Sequence, residues 1–182
     1  GIPVTIRHKA KADDADARKE EIFLNDKNEA MNALDQGYVV GGTAWLWADD
    51  LFEETLDYLF VDEAGQMSLT QVLTISRAEK NLILLGDPQQ LEQPKKGAHP
   101  ERSDISALEH ILDARRTMPA EKGIFLGTTW RLHPSINHFT SILYYEGRLK
   151  PRKELMNQKI AGRSPFAGSG LIYVPVEHTG NQ

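Results

Sequence analysis

Two short apolar runs, each breaking off at a polar turn, constrain this chain more than any other feature. Residues 56–62 read Leu-Asp-Tyr-Leu-Phe-Val-Asp, and residues 81–86 read Asn-Leu-Ile-Leu-Leu-Gly. Runs this short and this apolar are predicted to be strands of a parallel sheet covered on both faces. Between them, residues 68–80 read as a helix. Ser68 is its N-cap, and Leu69, Val72, Leu73 and Ser76 fall on one side. Strand, helix and strand in this length make a right-handed crossover unit. The expected fold class is therefore α/β, three-layered, with a mostly parallel sheet.

The rest of the chain fits around that unit. Residues 9–35 are polar and rich in Ala, Asp, Glu and Lys, and read as one or two exposed helices broken near Asn25 and Asp26. Residues 38–43 give a short strand ending in Gly41-Gly42. Residues 104–113 form a further helix, and the charged, turn-like stretch 114–123 marks a domain boundary. Beyond it come a strand at 125–129 and a helix at 133–145 with Pro134 in its first turn. Ile136, Phe139, Thr140, Leu143 and Tyr144 form the apolar side of that helix. A Gly-rich basic loop at 147–170 and a last strand at 171–176 complete the reading.

Composition narrows the class of protein. The 182 residues contain no cysteine, which excludes disulfides, thiolate zinc sites and a cysteine nucleophile. No stretch approaches the roughly 20 apolar residues of a membrane span. Residues 1–11 do not read as a signal peptide, and the lack of cysteine is compatible with a reducing cytoplasm, the expected location. Net charge is −5, yet it is unevenly spread: residues 1–66 carry 6 Lys or Arg against 15 Asp or Glu, and residues 67–182 carry 15 against 11. Nucleic-acid contacts are expected from the second part.

Three short stretches carry chemistry. In Phe60-Val61-Asp62-Glu63-Ala64-Gly65-Gln66, two adjacent carboxylates stand where a parallel strand ends, and that end is the ligand crevice of open α/β sheets. One carboxylate can hold Mg²⁺ through its water shell while the other polarises an attacking water. Gly86-Asp87-Pro88-Gln89-Gln90-Leu91 follows the second strand and reaches the same sheet edge. A Gln amide there can donate to a phosphate oxygen and accept from a water. In Thr128-Thr129-Trp130-Arg131-Leu132-His133-Pro134, Arg131 stands between a strand and a helix, where forked donors can meet a phosphate. Each stretch alone is equally readable as a polar turn.

Together these stretches resemble motifs II, III and IV of superfamily-one helicases, in residues, order and strand context. The likeness is greatest to the Dna/Nam-type branch, and within it to the helicase half of bacterial RecB-like nuclease–helicase fusion proteins. It extends to GGTAWLWA at 41–48, to TWRLHPSINHFTSILYYEGRL at 129–149 and to PFAGSGLIYVPVEHTGNQ at 165–182. The resemblance implies an ATP-dependent DNA helicase or translocase using ATP and Mg²⁺. Asp62 would coordinate Mg²⁺, Glu63 would activate the hydrolytic water, Gln90 would contact the γ-phosphate and Asp87 would organise its turn. Arg131 would reach the γ-phosphate from a second RecA-like domain. Thr43 and the 94–102 loop, with Lys95 and Lys96, would lie near the nucleic-acid path. The implied domains are a helical arm at 1–36, part of a first motor domain at 37–116 and the start of a second at 117–182. The implied partners are DNA, single-stranded, with RNA left open, and the rest of the same polypeptide, a nuclease domain included. No membrane partner is implied, and the oligomeric state is left open.

The chain also departs from that family. It contains no Gly-Lys-Ser or Gly-Lys-Thr string, so the expected core is a RecA-like P-loop NTPase core without its phosphate loop. A chain that opens on Gly1 and stops soon after motif IV is expected to be an internal piece that hydrolyses ATP poorly by itself. The alternative is a noncatalytic nucleic-acid or protein interaction module that keeps a helicase scaffold. The basic residues of 147–163, Arg148 and Lys150 among them, can track a single strand beside Tyr144 and Tyr145, or form a solvated loop. Trp45, Trp47 and Trp130 can stack on bases or pack internally. His133 and His138 miss the spacing of a helical metal pair. No Gly-x-Ser-x-Gly elbow is present, and no convincing nuclease set of separated Asp and Glu-x-Lys elements exists.

Overall fold

The computed structural model describes residues 6–8, 22–24, 26–90, 105–177 and 180. It divides into two compact units, Gly1–His110 and Ile111–Gln182. All the strand ladders among the described residues are parallel, and they form three small sheets rather than one continuous one.

In the first unit, β1 (Ile6–His8) lies between β2 (Ile22–Phe23) and β3 (Val39–Gly41). The arm expected to be helical thus supplies two strands. Its helical part is α1 (Lys27–Asp35), which begins at the expected break because Asp26 caps it, accepting from the N–H groups of Asn28 and Glu29. The rest of the arm, 9–21, lies outside the described residues. After β3, the short α2 (Ala44–Trp47) buries Leu46 and Trp47, and the Trp47 ring meets the fully buried Phe52 edge-on at 5.3 Å.

The second sheet pairs β4 (Leu59–Val61) with β5 (Leu82–Leu84) in the register Leu59↔Leu82, Phe60↔Ile83, Val61↔Leu84. The crossover between them is α3 (Leu69–Ile75), continued by a 3-10 turn at Ser76–Ala78. Ser68 and Gln71 form a reciprocal capping box at its start. Residues α3 buries are Val72 and Ile75, with Ala78 beyond, whereas Leu73 is exposed. The expected face was therefore rotated by part of a turn, because the helix ends early and tightens to 3-10 geometry.

The expectation that both faces of these strands are covered is corrected as well. Leu59 and Val61 are buried, but Tyr58 and Phe60, alternating with them, are 61 % and 63 % exposed. An apolar run without alternation cannot reveal which face a helix will cover. Helix α4 (Ala107–Leu112) starts beside α3: Leu69 N–H donates to the Ile105 carbonyl, and Ala107 N–H to the Met67 carbonyl.

In the second unit, β6 (Thr128–Thr129) pairs with β7 (Lys150–Pro151), and α5 (Pro134–Tyr144) connects them. The side of α5 expected to be its packing face is mostly solvent-facing: Phe139, Leu143 and Tyr144 are exposed, while Asn137 and Ser141 are buried. A polar tie decides this orientation, since the Asn137 amide donates to the Leu149 carbonyl at 3.0 Å, next to β7. The expected strand at 171–176 does not form. The segment joins no ladder, and Leu171, Tyr173 and Val176 are exposed, because an apolar run becomes a strand only where a neighbour supplies backbone partners. Among the described residues, no helix is long and apolar enough to cross a membrane.

Glu79 offers a test of the first unit. It bridges to Leu56, its Oε2 atom is buried without a hydrogen-bond partner, and burial raises its carboxyl above the ordinary value of 4.5. Its contribution to stability is therefore complete below that value and is lost as the pH rises through the raised folded value. Glu79→Gln is expected to raise the melting temperature at pH 7 and to leave it unchanged at pH 4. A lower melting temperature at pH 7 would contradict the assignment.

Candidate active site

The parallel register of β4 and β5 brings two of the chemistry-bearing turns together. The ladder runs one step past the strands, with Leu85 N–H donating to the Val61 carbonyl at 2.8 Å and Ala64 N–H donating to the Leu85 carbonyl at 2.8 Å. Ala64 is completely buried, so the turn after β4 folds onto the turn after β5. A side chain would not fit at the crossing. A Cβ on Gly86 would come within 2.8 Å of both the Ala64 and Gly65 nitrogens, and a Cβ on Gly65 would run into the Asp87 carbonyl.

Asp62 and Glu63 sit on this crossing, both exposed. Asp62 Oδ1 accepts from Glu63 N–H at 3.0 Å. Glu63 has φ of 54°, a left-handed conformation that a non-glycine residue adopts at a cost of about 1–3 kcal/mol. Two bonds hold it there, the Gln66 N–H to the Glu63 carbonyl and the Ala64 bond to Leu85. The following turn is built in the same way. Asp87 Oδ1 accepts from Gln89 N–H at 3.0 Å, and Gln90 N–H donates to the Asp87 carbonyl at 3.3 Å. Gln90 is exposed, and among the described residues the side chains of Glu63 and Gln90 have no hydrogen-bond partner.

The donor set suits a magnesium ion carried in on a nucleotide. Among the described residues, no group of three or more His, Asp or Glu could hold a metal by itself. Mg²⁺ ordinarily takes one or two carboxylates and completes its octahedron with phosphate oxygens and water. Two neighbouring exposed carboxylates at a strand end meet that requirement.

Arg131 belongs to the second unit, in the turn between β6 and α5. The Thr129 hydroxyl accepts from the Arg131 and Leu132 N–H groups at 3.2 and 3.4 Å, which closes the turn. His133 caps α5, its Nδ1 accepting from Ser135 N–H. The Arg131 guanidinium is exposed and has no hydrogen-bond or ion-pair partner among the described residues.

The expected nucleic-acid residues are placed less favourably for that role. Thr43 is exposed just before α2 and makes no capping bond. Lys95, Lys96 and the 94–102 loop lie outside the described residues. Arg148 is exposed but fastened to its own chain: its guanidinium donates to the Thr117 hydroxyl and the Met118 carbonyl and lies 4.5 Å from the Phe125 ring centroid. Lys150 Nζ turns back onto the Gly147 carbonyl. Of the tryptophans, Trp47 packs internally, Trp45 is 88 % exposed and Trp130 is exposed with Arg152 over its ring. Ala64 and Gly65 were assigned no role from sequence. The signal was present in two small residues directly after the acid pair, with a glycine opening the next turn.

Comparison with known proteins defines the class first. Residues 5–93 match the AAA domain family, a P-loop NTPase-like α/β fold. The chain is also similar to three helicases. It is 35 % identical over 91 residues to the 5'-3' DNA helicase ZGRF1 of Mus musculus, covering 49 % of this chain and 5 % of that protein. It is 27 % identical over 106 residues to Helicase SEN1 of Saccharomyces cerevisiae, covering 57 % and 5 %. With Helicase sen1 of Schizosaccharomyces pombe it shares 26 % over 137 residues, covering 73 % and 8 %. The likeness to superfamily-one helicases is thereby supported. It spans between 5 % and 8 % of the length of these relatives.

The crossing can be tested in the chain itself. Gly86→Ala is expected to destabilise the first unit by about 1–3 kcal/mol, read as a lower urea midpoint, because the added methyl meets backbone rather than a flexible side chain. An unchanged midpoint would show that the two turns are not packed as described.

Proposed function

We propose that this chain is the central segment of an ATP-dependent DNA helicase or translocase. In this reading it belongs to the Dna/Nam-type branch of superfamily one, nearest to the helicase half of RecB-like nuclease–helicase fusion proteins. The observation that carries the proposal is the fixed crossing of the Asp62-Glu63 turn on the Gly86–Gln90 turn. It sets the carboxylates of Asp62 and Glu63 and the amide of Gln90 on two turns that are hydrogen-bonded together, which supports giving them the metal, water and phosphate roles.

Each side chain then has a task suited to its setting. Asp62 would hold Mg²⁺, and the ion, when bound, would offset charge on the phosphate oxygens. Glu63 orients the attacking water and takes its proton, and its strained backbone keeps the carboxylate displayed rather than folded back. Gln90 donates to the γ-phosphate and loses that partner on hydrolysis, while Asp87 keeps its turn closed. Arg131 meets charge developing on the transferred phosphate with a guanidinium that has no partner among the described residues. Loss of the γ-phosphate frees Gln90, and that release is the step coupled to movement along a strand.

The partner in this reading is single-stranded DNA, with RNA as the competing outcome of a strand-stimulation test, and the location is cytoplasmic. The family's phosphate-cradling Gly-Lys-Ser/Thr loop is not among these 182 residues. The chain alone is therefore expected to bind ATP weakly.

Glu63→Gln in the complete polypeptide is expected to cut ATP turnover by about 10²–10⁴-fold with nucleotide binding retained. Equal turnover in mutant and wild type would remove Glu63 from the mechanism. Arg131→Ala should lower turnover while leaving the circular dichroism and melting temperature unchanged. Loss of folding instead would make Arg131 a scaffold residue.

A further inference from the structure

Arg131 directly follows Trp130 in the chain. The neighbouring Trp130 ring is 67 % exposed, and an exposed indole attracts a guanidinium. Glu154, in the 3-10 turn Lys153–Asn157 after β7, carries a carboxylate that offers a second attraction. Another residue engages both. The Arg152 guanidinium carbon lies 3.8 Å from the Trp130 ring centroid. Arg152 Nε and Nη2 donate to the two Glu154 oxygens at 3.1 and 3.2 Å, a forked pair. The Glu154 carboxyl is held below its ordinary value, first by its own backbone N–H and then by Arg152.

The backbone fixes where this clamp stands. Arg152 N–H donates to the Thr129 carbonyl at 3.2 Å, and the Thr129 hydroxyl closes the turn that carries Arg131. The ion pair is exposed and adds little to stability by itself. Its geometry nevertheless occupies the ring and the acid together, while Arg131 is left without a partner among the described residues.

We propose that Arg152 is a positioning residue that keeps Arg131 available, by occupying the Trp130 ring and the Glu154 carboxylate that would otherwise capture the Arg131 guanidinium. The inference rests on the role given to Arg131 above. It also gives Arg152 a purpose other than tracking a nucleic-acid strand. A lysine cannot replace it, because an ammonium can neither fork onto a carboxylate nor lie flat on an indole.

The test has two arms. In the 182-residue chain, side-chain NMR should show the Arg152 Nε–H signal displaced by the Trp130 ring current and the Arg131 signal undisplaced. In Arg152→Ala, and in Arg152→Lys, the Arg131 signal should take up that displacement. An Arg131 signal that does not move overturns the proposal, whatever the enzyme does. In the complete polypeptide, Arg152→Ala should lower kcat on the order of fivefold with KM for ATP unchanged. Adding Glu154→Gln should recover part of that loss, because it removes one captor. Losses that simply add would mark the clamp as structural and overturn the proposal. Should Arg131 be captured while Arg131→Ala leaves turnover unchanged, the positioning stands and the function proposed for Arg131 falls.

Discussion

The first unit depends on one backbone contact, the bond from Ala64 N–H to the Leu85 carbonyl, with Gly86 seated against the Ala64 and Gly65 nitrogens. It extends the β4–β5 ladder past the ends of the strands and locks two turns into one rigid piece. Everything chemical on this unit is mounted there. The left-handed Glu63 persists because its neighbours are hydrogen-bonded and buried, so its strain is supported by packing that a free turn would lack. The Glu63 carboxylate is exposed and has no hydrogen-bond partner among the described residues, which suits the role proposed for it.

The second unit reaches the same end by different means. It buries few apolar side chains among the described residues and is held by polar ties: Asn137 to Leu149, Arg148 to Thr117 and Met118, and Thr117 to Glu146. These ties explain why basic residues that suggest a nucleic-acid surface in sequence turn out to be fastened to the chain itself. They also set off Arg131, whose side chain has no such tie among the described residues. Cations in a loop are not equivalent, and the ones already bonded are the poorest candidates for an incoming anion.

Much of the site was legible in the sequence because strand ends, acid pairs and Gly-Asp turns are local patterns. Ser68 as a cap, the break before α1 and the helix after Pro134 were legible for the same reason. Facing was not. Phe60, Leu73 and Phe139 are apolar and exposed, since burial depends on which element lies opposite, and no residue encodes that alone. The 171–176 run shows the same limit, as strand propensity was present and a partner was not. The crossing of the two turns was hidden for a related reason: it needs Gly65 and Gly86 to lack side chains only because each is approached by the backbone of the other turn, from a distant part of the chain.

The central claim is that Asp62, Glu63 and Gln90 are working parts of a nucleotide-driven motor. The most direct test is ATP hydrolysis by the complete polypeptide, measured with and without single-stranded DNA. The account predicts turnover that rises when the strand is added. Retained DNA binding with no turnover in either condition would contradict it, and would leave these residues as the scaffold of an interaction module.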